Sequence, residues 1–276
     1  MKPRSALTKL SERQQREIAY HRDHAARHVQ RDQSTSNDVI LGTERRWWSA
    51  YWEMFHYIRQ IDLRGKKVLV AGCGFGKDAV RLALLGAEVA AFDLSVDSLK
   101  VAADAATAAG VTIQLQRMAA EELEYDADMF DLVLMVDILH HCEIDLCLRE
   151  IARVAKEDCH VVISEIYSHT LLNKIRNSCL VTKVLYPRMV NFVYSGQAPY
   201  ITADERKLNE HDLRHILSRI RAPRVDYYYI FVKRVFPASF VRLAKLDRVL
   251  GVLLRPIGWL IAGRVLVTGR LGAEPQ

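Results

Sequence analysis

The chain has 276 residues, of which 50% are hydrophobic and 26% charged, and its formal net charge is +6. This composition excludes a disordered chain, and the length suits one globular core with additional segments around it. The five cysteines lack a disulfide-framework spacing, and residues 1–31 are charged throughout, so we expect reduced thiols, no signal peptide and a cytoplasmic location.

Residues 1–62 are predicted to form a helical cap, which includes a helix over residues 44–57 that is dense in aromatic side chains. The aromatic residues are Trp47, Trp48, Tyr51, Trp52, Phe55 and Tyr57. Such a helix either lines a pocket for an apolar ligand or packs its rings on the core, and the sequence leaves both roles open.

The next segment combines a short apolar strand with a loop of three glycines, Gly72, Gly74 and Gly76. Because glycine has no side chain, a ligand can approach the backbone of such a loop closely. A second apolar run, residues 87–92, ends in Asp93, whose carboxylate can accept hydrogen bonds from two ribose hydroxyls. A glycine turn after one strand and a carboxylate after the next predict a nucleoside-binding site.

The glycine spacing also bears on which nucleoside is bound. Dinucleotide-binding loops have the pattern G-x-G-x-x-G, whose third glycine packs the following helix against the strand. In this chain that position is Lys77, and the glycine falls one residue earlier. The G-x-G-x-G spacing therefore disfavours a dinucleotide, although the loop alone is also compatible with a purely structural turn.

The elements after the glycine loop alternate between helices and strands. In chain order they are a helix at 77–85, a strand at 88–92, a helix at 95–109, strands at 111–115 and 130–136, a helix at 145–155 and a strand at 160–165. This order predicts right-handed crossovers and a mostly parallel sheet with helices on both faces. Ligands bind at the carboxyl ends of the strands in such sheets, where Asp137, His140 and Glu165 would join Asp93 and the glycine loop.

Basic residues are concentrated at both ends of the chain. Residues 1–31 hold eight Lys/Arg and three acids, and residues 219–276 hold eleven and three. In the C-terminal region, apolar residues at helical spacing alternate with basic ones: Phe240, Arg242, Leu243, Lys245, Leu246, Arg248, Leu250 and Leu253. Three roles for this basic amphipathic helix remain open, namely internal packing, a homodimer contact, or peripheral docking on the inner membrane surface.

Four motifs in this order resemble those of the class I S-adenosylmethionine-dependent methyltransferases. They are Val-Leu-Val-Ala-Gly-Cys-Gly-Phe-Gly, Phe-Asp-Leu-Ser, Phe-Asp-Leu-Val-Leu-Met-Val-Asp-Ile-Leu-His-His and Leu-Arg-Glu-Ile-Ala-Arg-Val. The resemblance covers residues 63–166 and looks most like the small-molecule branch, which includes quinone and natural-product methyltransferases. It implies S-adenosyl-L-methionine as the cofactor and a Rossmann-like, doubly wound α/β fold. In that fold a mostly parallel seven-stranded sheet ends in a C-terminal antiparallel hairpin and carries helical caps.

The resemblance also implies a set of cofactor-binding residues. The set is Tyr20, Ala71, Gly72, Cys73, Gly74, Gly76, Asp93, Leu94, Ala119, Ala120 and Val136. The glycines would line the methionine and ribose part of the cofactor, Asp93 would hold the ribose hydroxyls, and Leu94 would flank the adenine. The family has an acid-alanine pair where this chain has Ala119-Ala120, so we expect Glu121 or a backbone group to replace the carboxylate that reaches the adenine amine.

In this family the sulfonium group activates the methyl group, so a base is needed only when the acceptor must lose a proton. His140 and His141 follow the fourth strand, and histidine suits general-base catalysis at neutral pH. We predict these two histidines and Asp137 as catalytic residues, with a structural role for each as the alternative. The histidines with Cys142 and Cys147 match no standard zinc spacing, so no metal site is predicted.

The resemblance assigns the remaining segments as well. Residues 167–222 would form a substrate lid, and residues 223–276 would form the hairpin, with strands at 225–232 and 264–268 on either side of the basic helix. The predicted function is in-line methyl transfer, in biosynthesis, to a small-molecule acceptor such as a secondary metabolite, a quinone or a lipid-like compound.

Two alternatives to that function remain, an RNA-modifying methyltransferase and a non-catalytic nucleoside-binding scaffold. After the fourth strand the chain has Asp137-Ile-Leu-His140. It lacks the Asn/Asp-Pro-Pro-aromatic run of exocyclic-amine methyltransferases and the Pro-Cys nucleophile of C5-cytosine methyltransferases, so no DNA partner is expected.

Overall fold

A seven-stranded sheet forms the centre of the computed structural model, which describes residues 11–16, 18–19, 22, 37–42, 45–194 and 206–271. The strands are β1 (Lys67–Ala71), β2 (Glu88–Asp93), β3 (Ile113–Arg117), β4 (Phe130–Val136), β5 (Ala155–Ile166), β6 (Ile220–Tyr228) and β7 (Arg264–Leu271). Their order in the sheet is β3-β2-β1-β4-β5-β7-β6. Because β7 runs antiparallel to β5 and β6 while the other pairs are parallel, the predicted fold class is confirmed.

Helices cover both faces of the sheet. Their bounds are Asp38–Leu41, Ala50–Ile58, Lys77–Leu84, Val96–Ala108, Ile144–Val154, Thr170–Arg176, Tyr186–Val193, Glu210–Ser218, Val241–Leu253 and Gly258–Ile261. Single turns of 3₁₀-helix lie at Leu139–His141 and Arg255–Ile257, and a π-helical turn lies at Val181–Leu185. Residues 12–16, 18–19, 22 and 179–180 are also helical.

The central strands are buried on both faces because they lie between two helical layers. Val68 and Leu132 pack with Phe55 on one face of the sheet. Leu69 and Val133, their neighbours along the strands, pack on the opposite face. Two buried faces need continuous apolar strands, which explains why the runs in β1 and β4 were recognisable in the sequence.

The edge strand β6 differs from its prediction. It begins at Ile220 and ends at Tyr228, so the predicted boundary between lid and hairpin, after residue 222, lies inside the strand. The pairing of β6 with β7 shifts register between Arg221 and Arg224, and Ala222 has a φ of 47°. A bulge with a proline at position 223 is tolerated here because β6 is an edge strand, and the backbone groups along its outer edge have no neighbouring strand to pair with.

Candidate functional site

One cavity of about 1650 Å³ opens at the carboxyl ends of β1, β2 and β4. Its lining combines residues of the glycine loop and strand ends with apolar residues of segments 172–194 and 229–263. Small-molecule sites typically have volumes of about 300–1,000 Å³. The cavity is therefore large enough for a nucleoside and a second molecule together.

The three glycines of the loop all have positive φ angles, 63° at Gly72, 50° at Gly74 and 74° at Gly76, but their surroundings differ. A Cβ on Gly72 would lie 2.3 Å from Ile138 Cδ1, and one on Gly76 would lie 2.6 Å from Ala102 Cβ. A Cβ on Gly74 would meet nothing within 4 Å. Gly72 and Gly74 line the cavity, whereas Gly76 packs the loop against the helix Val96–Ala108.

This difference predicts that two alanine substitutions destabilise the protein to different extents. Gly76→Ala is expected to lower the free energy of unfolding by about 2–4 kcal/mol, because left-handed backbone strain adds to the overlap with Ala102. Gly74→Ala carries only the strain, about 1–2 kcal/mol, and its new methyl group projects into the cavity. Chemical denaturation of the two variants measures the difference, and equal destabilisation would contradict the separate roles of the two glycines.

The Asp93 carboxylate connects the ends of β1 and β2. Its Oδ2 accepts a hydrogen bond of 2.9 Å from the Gly74 backbone N–H, and its Oδ1 accepts one of 2.9 Å from the Ser95 N–H. The side chain is almost completely buried but reaches the cavity wall. A carboxylate has about four acceptor positions, so each oxygen retains one for a ligand hydroxyl in a fixed orientation.

Most of the predicted cofactor residues line this cavity. They are Ala71, Gly72, Cys73, Gly74, Asp93, Leu94, Ala119, Ala120 and Val136. Gly76 does not line it, and Tyr20 lies outside the described residues. Glu121 also lines the cavity, and its Oε1 accepts hydrogen bonds of 3.0 Å from the Arg13 guanidinium and from the Glu143 backbone N–H. The cavity thus brings together, at the ends of β1, β2, β3 and β4, most of the groups that were predicted to bind the nucleoside.

His140 and Glu165 form a buried pair at the same cavity. The His140 Nδ1 lies 2.7 Å from Glu165 Oε2, and both side chains are buried. Glu165 Oε1 accepts hydrogen bonds of 2.7 and 2.6 Å from the backbone N–H groups of Ile138 and Leu139. Glu165 therefore holds the 3₁₀ turn that carries the histidine and orients its ring. The sequence predicted that both residues lie at one edge of the sheet, but no spacing in it indicated that they are in direct contact.

Asp137, the third predicted catalytic residue, is anchored to the hairpin. Both of its carboxylate oxygens lie 3.0 Å from Arg264 Nη2. Arg264 is buried and donates through Nε to Ser164 Oγ at 3.0 Å. Asp137 itself has a φ of 53°. This ion pair gives the Asp137 carboxylate a structural role, because it ties the end of β4 to β7.

Asp137, His140 and Glu165 offer potential metal-ligand atoms within 4.8 Å of one another. However, both Glu165 oxygens already accept hydrogen bonds, and Asp137 is neutralised by Arg264. The two carboxylates are therefore satisfied by protein donors, and the arrangement is that of an oriented histidine beside an ion pair.

Lys233 is a cationic residue of the cavity that the sequence analysis missed. It lies in the irregular segment after β6 and lines the cavity. Burial, with a further contribution from Arg264, lowers the pKa of its ammonium group, and Asp137 partly opposes this effect. Its side chain is exposed, and its ammonium group lies close to Arg264 and Asp137 at the cavity wall. No ion pair joins it to another described residue.

The aromatic helix of the N-terminal cap does not contribute to the cavity. Phe55 is fully buried in the core, and Tyr51, Trp52 and Tyr57 pack against the same core cluster. None of the six aromatic residues at positions 47–57 lines the cavity. Core packing is therefore the role of these four rings, whereas Trp47 is exposed, and the outer cavity wall comes instead from segments 172–194 and 229–263.

The comparisons with known proteins agree with this geometry. A family model described as a methyltransferase domain matches residues 69–163. The ubiquinone biosynthesis O-methyltransferase of Chromobacterium violaceum is 40% identical over 84 residues, which are 30% of this chain and 36% of that protein. The enzyme of the same name from Hahella chejuensis is 33% identical over 134 residues, 44% of this chain and 56% of that protein. The chain thus spans about a third to a half of these relatives.

Solved structures match over nearly the whole chain at low identity. Geranyl diphosphate C-methyltransferase from Streptomyces coelicolor A3(2) has a TM-score of 0.59 at 10% identity and covers 96% of this chain and 100% of its own. Magnesium protoporphyrin IX methyltransferase from Synechocystis PCC 6803 has a TM-score of 0.55 at 17% identity and covers 94% and 100%. The [4+2]-cyclase SpnF also has a TM-score of 0.55, at 15% identity, with 95% and 97% covered. These matches show the fold, which is shared by proteins named for different reactions.

Proposed function

We propose that this chain, which belongs to the class I S-adenosylmethionine-dependent methyltransferases, transfers a methyl group to a small apolar acceptor bound in the outer part of the cavity. The observation that supports this is the continuity of the cavity. Its inner wall carries the glycine loop and Asp93, its outer wall is apolar, and His140, His141 and Lys233 line the same space.

The residues present fit the family's cofactor. Gly74 leaves open space beside the backbone, and Asp93 presents two oriented oxygens for the ribose. Bound S-adenosylmethionine supplies a methyl group that is already activated by its sulfonium. The protein must therefore hold the acceptor in line, exclude water and, where the acceptor is acidic, remove a proton.

His140 is proposed to accept that proton. A neutral imidazole that donates its Nδ1–H to Glu165 carries its lone pair on Nε2, and the carboxylate stabilises the imidazolium that forms. Lys233 adds positive charge to a largely apolar space. A histidine base and an ammonium group at the cavity wall suit an acceptor that becomes anionic on oxygen, such as a phenol or an enolisable ketone.

The apolar outer wall points to the acceptor class. Apolar side chains predominate there, namely Leu172, Ile175, Val181, Leu185, Met189, Val190, Val193, Ile230, Val232, Leu254, Ile257 and Ile261. A quinone, a phenol or a lipid-like compound would bury its body against them. The partial matches to proteins named ubiquinone biosynthesis O-methyltransferases support this class. An RNA substrate is a weaker candidate because this wall is mostly apolar, and steeply salt-dependent binding would be its signature.

Calorimetric titration of the purified chain with S-adenosylmethionine, S-adenosylhomocysteine and NAD tests the proposal at its first step. We expect both sulfur nucleosides to bind and NAD not to bind. An acceptor screen with phenols, quinones and prenylated phenols should then give a methylated product by mass spectrometry. If neither sulfur nucleoside binds, the proposed function fails; if both bind and no acceptor is ever methylated, the scaffold alternative takes its place.

Glu121 is proposed to replace the missing adenine carboxylate. Both of its hydrogen bonds involve Oε1, so Oε2 can accept from the adenine amine. Glu121→Ala should weaken S-adenosylhomocysteine binding about three- to tenfold, the effect of one hydrogen bond of about 1 kcal/mol. Binding of S-inosylhomocysteine, which has no exocyclic amine, should not change.

The neighbouring exposed residue offers a matched control, because Glu122→Ala removes a carboxylate that points away from the cavity lining. Its affinities should equal those of the unmodified chain. If Glu121→Ala weakens the binding of S-adenosylhomocysteine and of S-inosylhomocysteine equally, the carboxylate does not contact the adenine. It would then act through Arg13 and the N-terminal segment.

A further inference from the structure

The exposed apolar side chains of this protein are concentrated in two segments. Among the described residues, 17 of the 24 large hydrophobic side chains that are exposed lie in residues 170–193 and 240–259. Ring contacts join the segments: Phe192 and Phe240 have centroids 5.6 Å apart, and His169, next to the first segment, lies 5.0 Å from Trp259. The two segments therefore form one surface, which we call the apolar face.

The helix Val241–Leu253 turns its apolar stripe outward. Leu246 is 54% exposed and Leu253 is 70% exposed, whereas Asp247 is only 3% exposed. Asp247 accepts hydrogen bonds of 3.1 and 2.7 Å from the backbone N–H groups of Ile230 and Phe231. Polar contacts thus hold the helix on the body while its leucines face away from it. Internal packing is therefore not the role of this stripe.

The charge of the apolar face is strongly positive. The two segments contain eight Lys or Arg residues and one acid, and that acid is the buried Asp247. Seven of the eight cations are exposed: Lys174, Arg176, Lys183, Arg188, Arg242, Lys245 and Arg255. Two such faces packed together would bring like charges into contact, whereas an anionic lipid surface satisfies the basic and the apolar side chains at once.

The cavity opens at this face. Ile175, Leu185, Tyr186, Leu254 and Ile257 are exposed members of the apolar face, and all five also line the cavity. None of the described helices is both long and apolar enough to cross a bilayer. Contact with a membrane would therefore be interfacial, with the cavity mouth directed at the lipid.

We propose that the apolar face docks on an anionic lipid bilayer and that the acceptor enters the cavity directly from that bilayer. The acceptor would then be an amphiphile with a reactive polar head and a long apolar tail, which does not need to cross water to reach the site. The docking rests on the surface alone, while the route of the acceptor also rests on the proposed function. The inner membrane surface, which is one of the three roles that the sequence left open for this helix, is such a bilayer.

Docking is tested by co-sedimentation of the full chain with vesicles, without cofactor or acceptor. Vesicles of equal parts phosphatidylglycerol and phosphatidylcholine should bind the protein at least tenfold more tightly than phosphatidylcholine alone. The double variant Leu246→Glu/Leu253→Glu should lose at least tenfold in this binding. Both side chains are exposed, so the variant should keep the thermal unfolding midpoint of the unmodified chain.

Two controls make the result specific to the face. Leu84→Glu places one glutamate at an exposed leucine outside it and should not affect vesicle binding. Arg242→Glu/Lys245→Glu should weaken binding to anionic vesicles, whereas Lys100→Glu, on another surface, should not. Docking is overturned if the unmodified chain does not bind anionic vesicles, if Leu84→Glu weakens binding as much as the double variant, or if the face instead forms a homodimer that Leu246→Glu/Leu253→Glu dissociates.

The entry route has its own test, which compares a long-chain prenylated phenol in vesicles with a short-chain phenol in solution. Leu246→Glu/Leu253→Glu should lose at least tenfold in activity on the embedded acceptor and keep its activity on the soluble one. Equal losses on both overturn the route. If the vesicles bind the protein but no acceptor of the phenol and quinone screen is methylated, the proposed function has failed and docking stands.

Discussion

Asp93→Ala is expected to weaken binding of S-adenosylhomocysteine at least tenfold, or about 1.4 kcal/mol. The reason is the position of the carboxylate, which accepts backbone N–H groups from Gly74 and Ser95 and presents its remaining lone pairs to the cavity. Hydrogen bonds to a charged group contribute about 1.5–3 kcal/mol each. Loss of the ribose contacts alone would therefore meet or exceed the tenfold expectation, and calorimetric titration measures it.

Asp97→Ala is the matched control for this substitution. Asp97 is four residues away at the start of the helix Val96–Ala108, pairs with Lys100 and does not line the cavity. Its loss should leave the affinity unchanged. Because Asp93 also holds two backbone groups, thermal unfolding must accompany the titration, and Asp93→Asn should retain more stability than Asp93→Ala. Unchanged affinity in a folded Asp93→Ala protein would refute the ribose assignment.

His140→Gln is expected to lower kcat by about 100- to 10,000-fold for an acceptor that must lose a proton, the usual contribution of a positioned general base. Glutamine fills a similar volume and keeps hydrogen-bonding capacity toward Glu165, but it does not accept a proton at neutral pH. Binding of S-adenosylhomocysteine should not change. Steady-state rates as a function of pH measure the effect, and the variant should lose the fall in rate at acid pH that protonation of the base produces.

Two further variants separate the chemical role of His140 from a structural one. Glu165→Gln should give an intermediate loss of kcat with little effect on KM, since Glu165 positions the histidine and the turn that carries it. His211→Gln, at an exposed position on the helix Glu210–Ser218, should behave like the unmodified chain. An unaltered pH profile in a folded His140→Gln protein would mean that the proton leaves by another route.

The parts of this protein that depend on local sequence were predictable. The cores of β1 and β4 are continuous apolar runs because both of their faces are buried, so no tertiary detail was needed to recognise them. Gly72 and Gly74 follow β1 because only glycine enters the left-handed region readily while leaving the backbone open to a ligand. Asp93 ends β2 beside this loop, because adjacent parallel strands deliver their carboxyl ends to one edge of the sheet.

The relations between distant residues were decided by the tertiary structure. Glu165 is 25 residues from His140 and Arg264 is 127 residues from Asp137, so no spacing rule connects either pair. Lys233 reaches the cavity from an irregular segment that carries no periodic signal.

The helix Val241–Leu253 illustrates the same division most clearly. Its periodicity in the sequence establishes that one face is apolar, but a period does not state in which direction that face points. The direction was set by the contacts of Asp247 with the backbone of Ile230 and Phe231, which hold the opposite face on the body. The sequence by itself therefore determined the main strands and helices and the edge of the sheet at which a nucleoside is predicted to bind. Only the packing of those elements decided which side chains meet in the cavity and which remain exposed around its mouth.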